Sequence, residues 1–338
     1  MPVEIVYVDP EGPGYQPVSY MARLAAELFE ADLVLVRSKS LTVLEKVRGL
    51  LPRKRRGLDG ILICPQPANL SALLQMERWR SRYGRLVAWV FDSFWPEYVS
   101  RIIRLSGIFD HVFVTEQEDL ETWQKMLRAP VEWLPWGSDA LRLGSANPDR
   151  PTDLLRLGRQ PSGWDDDVAT AQLCKSMDLL FHGRPPLLTH PCEGERALMK
   201  ILAQAKFSLS FSNLVSPSLQ THPRREYITG RWTDALAAGA IVAGVPPKSS
   251  TARALLWDDG LLDLRSPDWT EGLAAIAQAS RDWSPRRARE NHLRSLERLD
   301  WRWRFERLAS VMGVQSTTLD AELTKLRAMI SHHARADT

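Results

Sequence analysis

Cysteine is scarce: this chain of 338 residues has three, Cys64, Cys174 and Cys192, and no CxxC pair. That excludes a disulfide scaffold and a cysteine-ligated zinc site, and it points to a reducing compartment. No run of about 18 uncharged apolar residues occurs, so no membrane-spanning helix is expected. Glu4 breaks the apolar start MPVEIVYVD where a secretory signal would carry its hydrophobic stretch, and a cytoplasmic protein is the expectation. Net charge is nearly absent too. Lysine and arginine number 44 against 41 aspartates and glutamates, and the resulting +3 gives no field of the kind a nucleic-acid binder carries. The first glycine-bearing loop is not a G-x-G-x-x-G fingerprint.

What the chain has is enough apolar residue, 44%, to rule out disorder and fill about two domain cores. Short β-branched runs at 3–9, 32–37, 60–64, 86–91, 111–115 and 131–134 alternate with helical stretches such as 19–30 and 68–82. Near-continuous hydrophobic strands separated by helices predict a parallel sheet covered on both faces, a doubly wound α/β domain. Between Pro135 and Pro151 the rhythm gives way to Gly, Ser, Asn and Pro, which reads as a linker. A second series follows, with strands at 153–157, 179–183, 207–211, 240–244 and 260–264 and a helical end from about Ser284. In that end Trp301, Phe305 and Leu308 form an apolar stripe at i, i+4 and i+7. The domains predicted are 1–137, 138–298 and a C-terminal helical piece 299–338.

Ligands of such sheets bind outside the carboxyl ends of the strands, so the loops there hold the candidates, and two such halves leave a cleft. After the first strand, Gly12, Gly14 and Tyr15 lead into a helix and read either as an acceptor loop or as a plain surface turn. After the fourth, Asp92 stands among Phe91, Phe94 and Trp95; such a carboxyl loses hydration, rises in pKa and becomes an acid–base candidate, unless it only caps the next helix. Glu97, Glu116 and Glu118 read as first-turn helix charges. The D-x-D spacing within Asp165, Asp166 and Asp167 is compatible with a divalent cation, but its place before a helix favours a cap, and no metal is expected. His332 and His333 read as part of a polar tail. Lys46, Arg48, Arg53, Lys54, Arg55 and Arg56 cluster beside Leu44, Val47, Leu50 and Leu51, a segment suited equally to anionic membrane at the inner face or to solvent.

The fullest constellation is REYITGRWTDALAAGAIVAGVPP, where seven residues separate Glu226 from Asp234 and Gly230 and Arg231 open a helix rich in small residues. Free N–H groups and a guanidinium at a helix start suit a diphosphate. Here the chain resembles the GT-B glycosyltransferases, in particular family-4-like members with a Glu-x7-Glu motif, and the stretch SNLVSPSLQTHPRREY also resembles spore-coat-maturation-type transferases. The resemblance implies two Rossmann-like domains, acceptor-binding then donor-binding, with a last helix crossing back to the first. It implies metal-independent transfer of a hexose-type sugar from a nucleotide-diphosphate donor, without a cofactor, to a hydroxyl on a glycan, lipid or small molecule, leaning towards retention. Glu226 takes the place of the acid near the donor sugar and Asp234 that of the acid on the ribose hydroxyls, while Gly158-Arg159 looks like the family's diphosphate pair. The lysine usual after that arginine is missing, leaving Arg224, Arg225 or Arg231 to supply the second charge. Two rival readings stay open: a non-catalytic nucleotide- or glycan-binding module, and a sugar-nucleotide epimerase.

Overall fold

The computed structural model describes residues 2–10, 13–51, 57–186 and 188–336. Gly12 and the basic residues Arg53, Lys54, Arg55 and Arg56 lie outside the described residues. The chain divides into two compact units: Met1–Pro135 with Arg302–Thr324, and Trp136–Trp301 with Lys325–Thr338.

The first unit contains strands β1 (Val3–Asp9), β2 (Asp32–Arg37), β3 (Leu58–Cys64), β4 (Tyr83–Val90), β5 (His111–Val114) and β6 (Val131–Trp133). Their order is β2-β1-β3-β4-β5-β6, and every ladder is parallel. The central strands are apolar on both faces because helices cover both; Ile5, Val6, Ile61, Leu62, Val87 and Ala88 are all fully buried. Helices α1 (Gln16–Leu28), α2 (Val43–Leu50), α3 (Trp79–Arg82), α4 (Arg101–Leu105) and α5 (Leu120–Met126) connect the strands. The single helix expected over 68–82 is a correction: Pro67–Gln75 is a 3-10 turn, and α3 begins only after Arg78, whose φ of 54° breaks the helical path.

The second unit repeats the plan with β7 (Thr152–Arg156), β8 (Phe181–His182), β9 (Ala205–Leu209), β10 (Ile241–Gly244) and β11 (Leu261–Asp263). The order β11-β10-β9-β7-β8, again all parallel, is the first unit's order with one strand fewer. Its helices are α6 (Asp167–Ser176), α7 (Pro191–Leu202), α8 (Gly230–Ala237), α9 (Ser250–Leu255), α10 (Trp269–Arg281) and α11 (Pro285–Arg298), and α12 (Trp301–Met312) and α13 (Thr317–Ala336) follow. The stretch read as a linker is irregular yet packed. Trp136 and Ala140 are buried, Asp300 accepts the Leu141 N–H at 2.8 Å, and the Arg150 guanidinium donates to the carbonyls of Leu202, Ala205 and Ala238. Its Gly, Ser and Pro content reports irregular backbone, not exposure.

Arg302–Thr324 completes the first unit. Phe305 meets Phe29 edge-on at 6.0 Å between centroids, and Arg307 grips Glu132 through two bonds of 2.6 and 2.7 Å. Arg302, fully buried, donates to Glu322 at 3.0 and 2.8 Å. Glu322→Gln weakens a buried charged pair and is expected to cost about 3 kcal/mol, seen as an earlier urea-unfolding midpoint for the first unit.

Candidate active site

In each sheet the strand order reverses once, between β1 and β3 and between β7 and β9, and ligands of open α/β sheets bind beside the loops that leave such strands. The candidate residues cluster in those loops.

In the first unit, the loop after β1 supplies Tyr15, the loop after β3 supplies Gln66 and the end of β4 supplies Asp92. The Tyr15 hydroxyl donates to Asp92 Oδ2 at 2.5 Å and accepts from Gln66 Nε2 at 2.9 Å. Asp92 is therefore held by a phenol rather than capping a helix: its carbonyl accepts the Trp95 N–H, but its carboxylate serves no helix terminus. Burial pushes its pKa up to about 7, against the lowering effect of the Tyr15 bond. Phe91 and Phe94 are buried around it, and Trp95 stacks on Tyr98 at 4.8 Å and 13°. Gly14 is exposed, with open space where a side chain would stand. Along the same sheet edge a cavity of about 640 Å³ opens at the ends of β1 and β2, bordered by Asp9, Arg37, Lys39, Thr42, Gln75 and Met76. Gln66, Arg37 and Lys39 were missed in the sequence because nothing in their neighbours marks a loop residue, a strand's last residue or the lysine beyond it.

In the second unit, Gly158 follows β7 with φ of 69°, and a Cβ there would meet Arg231 Cδ at 2.6 Å. Only glycine allows both that backbone and that approach. The Arg231 guanidinium lies over the loop and donates to the Arg159 carbonyl at 3.0 Å; Arg159 itself reaches the Ser216 carbonyl at 2.7 Å and Ser218 Oγ at 3.2 Å. Neither guanidinium meets a carboxylate among the described residues. Burial, then repulsion by Arg159, pushes the Arg231 pKa down to about 10, which leaves it charged at neutral pH. Gly230 opens α8, and no side chain caps that helix.

Glu226 sits in the long loop after β9. Ser212 Oγ donates to its Oε1, and the Lys248 N–H donates to its Oε2 at 2.9 Å, so loops after β9 and β10 hold both oxygens. Arg225, half-buried, offers its carbonyl to Asn213 Nδ2 at 2.8 Å, and its N–H goes to His222 Nδ1 at 2.9 Å. Ser212, Asn213 and Lys248 were not singled out in the sequence, since nothing in their neighbours marks them.

Asp234 requires a correction. It is 2% exposed on the inner side of α8, beside Ser138, Glu195 and Asp139. Burial raises its pKa, and burial with the neighbouring carboxyls raises that of Glu195. The carboxyl that the Glu-x7-Glu resemblance implied would lie open to a ligand is instead buried beside other carboxyls. Glu226 precedes the helix, so the two acids do not share a helix face.

The aspartate triplet acts as its position before a helix suggested. Asp166 caps α6 by accepting from the N–H groups of Val168 and Ala169, while Asp165 and Asp167 pair with the buried Arg156. His333 lies edge-on to the buried His292, whose pKa burial lowers to about 4.

No protein-family model matches the chain, and no curated protein is significantly similar to it. Among solved structures, it is similar to TarM, with 10% identity and a TM-score of 0.45 over 74% of this chain and 54% of that one. It is similar to the pneumococcal O-GlcNAc transferase GtfA, solved with UDP and GlcNAc, with 13% identity and a TM-score of 0.47 over 79% of this chain and 58% of that one. A putative UDP-N-acetylglucosamine 2-epimerase from Listeria monocytogenes gives 12% identity and 0.47 over 93% of this chain and 96% of that one. The chain thus spans little more than half the length of TarM and GtfA. The chain holds two all-parallel, doubly wound α/β units.

Proposed function

We propose that the chain is a glycosyltransferase that moves a hexose-type sugar from a nucleotide-diphosphate donor to a hydroxyl acceptor. The observation that carries this reading is the pair Arg159 and Arg231, two guanidiniums held together beside the loop after β7 without a carboxylate among the described residues. Like charges so placed repel, and a bound diphosphate relieves that repulsion while filling the free N–H groups of α8. As the bond from the anomeric carbon to the donor oxygen breaks, its electron pair passes to the diphosphate, and these groups stabilise the growing charge. Glu226, fixed through both oxygens, is the acid assigned to the donor sugar.

The first unit handles the acceptor. Asp92, poised near neutrality and aimed by Tyr15, takes the proton of the attacking hydroxyl as its oxygen bonds to the anomeric carbon. That base role favours inversion. The family resemblance favours retention, in which the departing phosphate takes the proton and Asp92 orients the hydroxyl; proton NMR of the product anomer separates the two.

A thermal-shift panel tests the whole reading. Nucleoside diphosphates are expected to raise the melting temperature more than the matching monophosphates or nucleosides, by about 2.7 kcal/mol of stabilisation at a hundred times Kd. Slow release of nucleotide from one nucleotide-sugar without acceptor is expected to follow. Binding with no turnover under any acceptor makes the chain a binding module, and loss of stereochemistry at C2 of the donor sugar makes it an epimerase.

A further inference from the structure

We propose that α2 is a docking helix that seats an outward apolar stripe in the headgroup region of an anionic bilayer. Val43, Leu44, Val47 and Leu50 recur at i, i+1, i+4 and i+7 and so share one face of the helix; Leu51 follows directly after it. All five are between 47% and 76% exposed.

A helix on a soluble unit ordinarily turns such a stripe inward. Here the opposite side is the packed one: Gly49 is buried, and a Cβ on it would meet Leu74 Cδ1 at 3.1 Å and Ile102 Cγ1 at 3.2 Å. The helix is also preformed, since Thr42 and Glu45 close a capping box, the Thr42 N–H donating to Glu45 at 2.7 Å and the Glu45 N–H to Thr42 Oγ1 at 3.2 Å.

Charge selects the occupant. Lys46 and Arg48 project roughly 90–110° to either side of the stripe and are both exposed, so cations border the apolar face on its two flanks. An apolar centre between basic rims fits acyl chains below and lipid phosphates beside them. A second copy of the chain fits less well, because two-fold pairing of this face sets each copy's Lys46 and Arg48 against the other's.

Flotation of the full chain with phosphatidylcholine vesicles, with and without phosphatidylglycerol, at low and high salt tests the assignment. Wild type is expected to float with anionic vesicles at low salt, and about tenfold less with neutral vesicles or at high salt. The Leu44→Ser/Leu50→Ser variant is expected to stay down under every condition, and Lys46→Glu/Arg48→Glu to lose only the part that depends on phosphatidylglycerol. Both pairs are exposed, so both variants should melt at the wild-type temperature. Failure of wild type to float, or equal flotation of the serine variant, overturns the proposal. So does a wild-type dimer that the serine variant converts to monomer without any flotation, which would make the stripe a self-association face.

Discussion

Asp92→Asn is expected to lower kcat/KM on the order of 10³-fold while leaving nucleotide binding in the second unit intact. Asparagine keeps the oxygen that accepts from Tyr15 but takes up no proton. For wild type, kcat/KM should rise with pH through about 7, the point to which burial lifts this carboxyl, and the residual activity of the variant should lose that rise. The stability effect has the opposite sign. A carboxyl whose pKa is higher in the folded than in the unfolded protein binds more protons when folded, so stability falls as pH rises from about 4 to about 7. Asp92→Asn removes that penalty, and the variant should melt higher than wild type at pH 8, by something on the order of 1–4 kcal/mol. A variant both inactive and less stable would mean that Asp92 is a structural residue. Tyr15→Phe, which removes the phenol but not the carboxyl, should fall between the two enzymes in turnover and shift the rise to higher pH, because the bond it deletes lowers the pKa.

Arg231→Ala is expected to reduce turnover 10²- to 10³-fold and to weaken nucleoside-diphosphate binding far more than nucleoside binding. The guanidinium now lies over Gly158 with no carboxylate and with Arg159 repelling it, an arrangement that costs stability in the empty protein. Its removal should therefore leave the melting temperature of the empty protein unchanged or raised, while abolishing the rise on adding diphosphate. Arg231→Lys keeps the charge and loses the planar fork, and should recover part of the affinity. Equal affinity for diphosphate in wild type and the alanine variant would remove the basis of the functional reading.

The fold was largely legible because parallel strands buried on both faces leave an unmistakable trace. Each of the eleven observed strands coincides with an apolar run bounded by polar loops, and β1 and β2 coincide residue for residue with theirs. The failures have local causes. Residues 68–82 keep a helical apolar spacing, but a proline start and a left-handed Arg78 divide them. The site was legible where a residue's chemistry shows in its neighbours, as for Asp92 among aromatics or Gly158 beside Arg159. It was illegible where strand order makes the neighbourhood: Tyr15 and Asp92 are 77 positions apart and meet only because β1 and β4 flank β3. Asp234 shows the converse. Spacing along the chain matched a known motif, yet the facing of α8 put the carboxyl inside.

Because 302–324 belong to the first unit while the chain on both sides belongs to the second, neither unit is a continuous length of polypeptide. A ribosome that has released the chain only as far as residue 135 has not yet made Phe305, which covers Phe29, Arg307, which bonds Glu132, or Ser316, which bonds the Leu28 carbonyl. The first unit must then wait for residues 302–324 before it can close, which ties its maturation to a segment made long after its own sheet. For the same reason, proteolytic nicking near residue 301 should loosen the first unit, whose last segment lies beyond the cut.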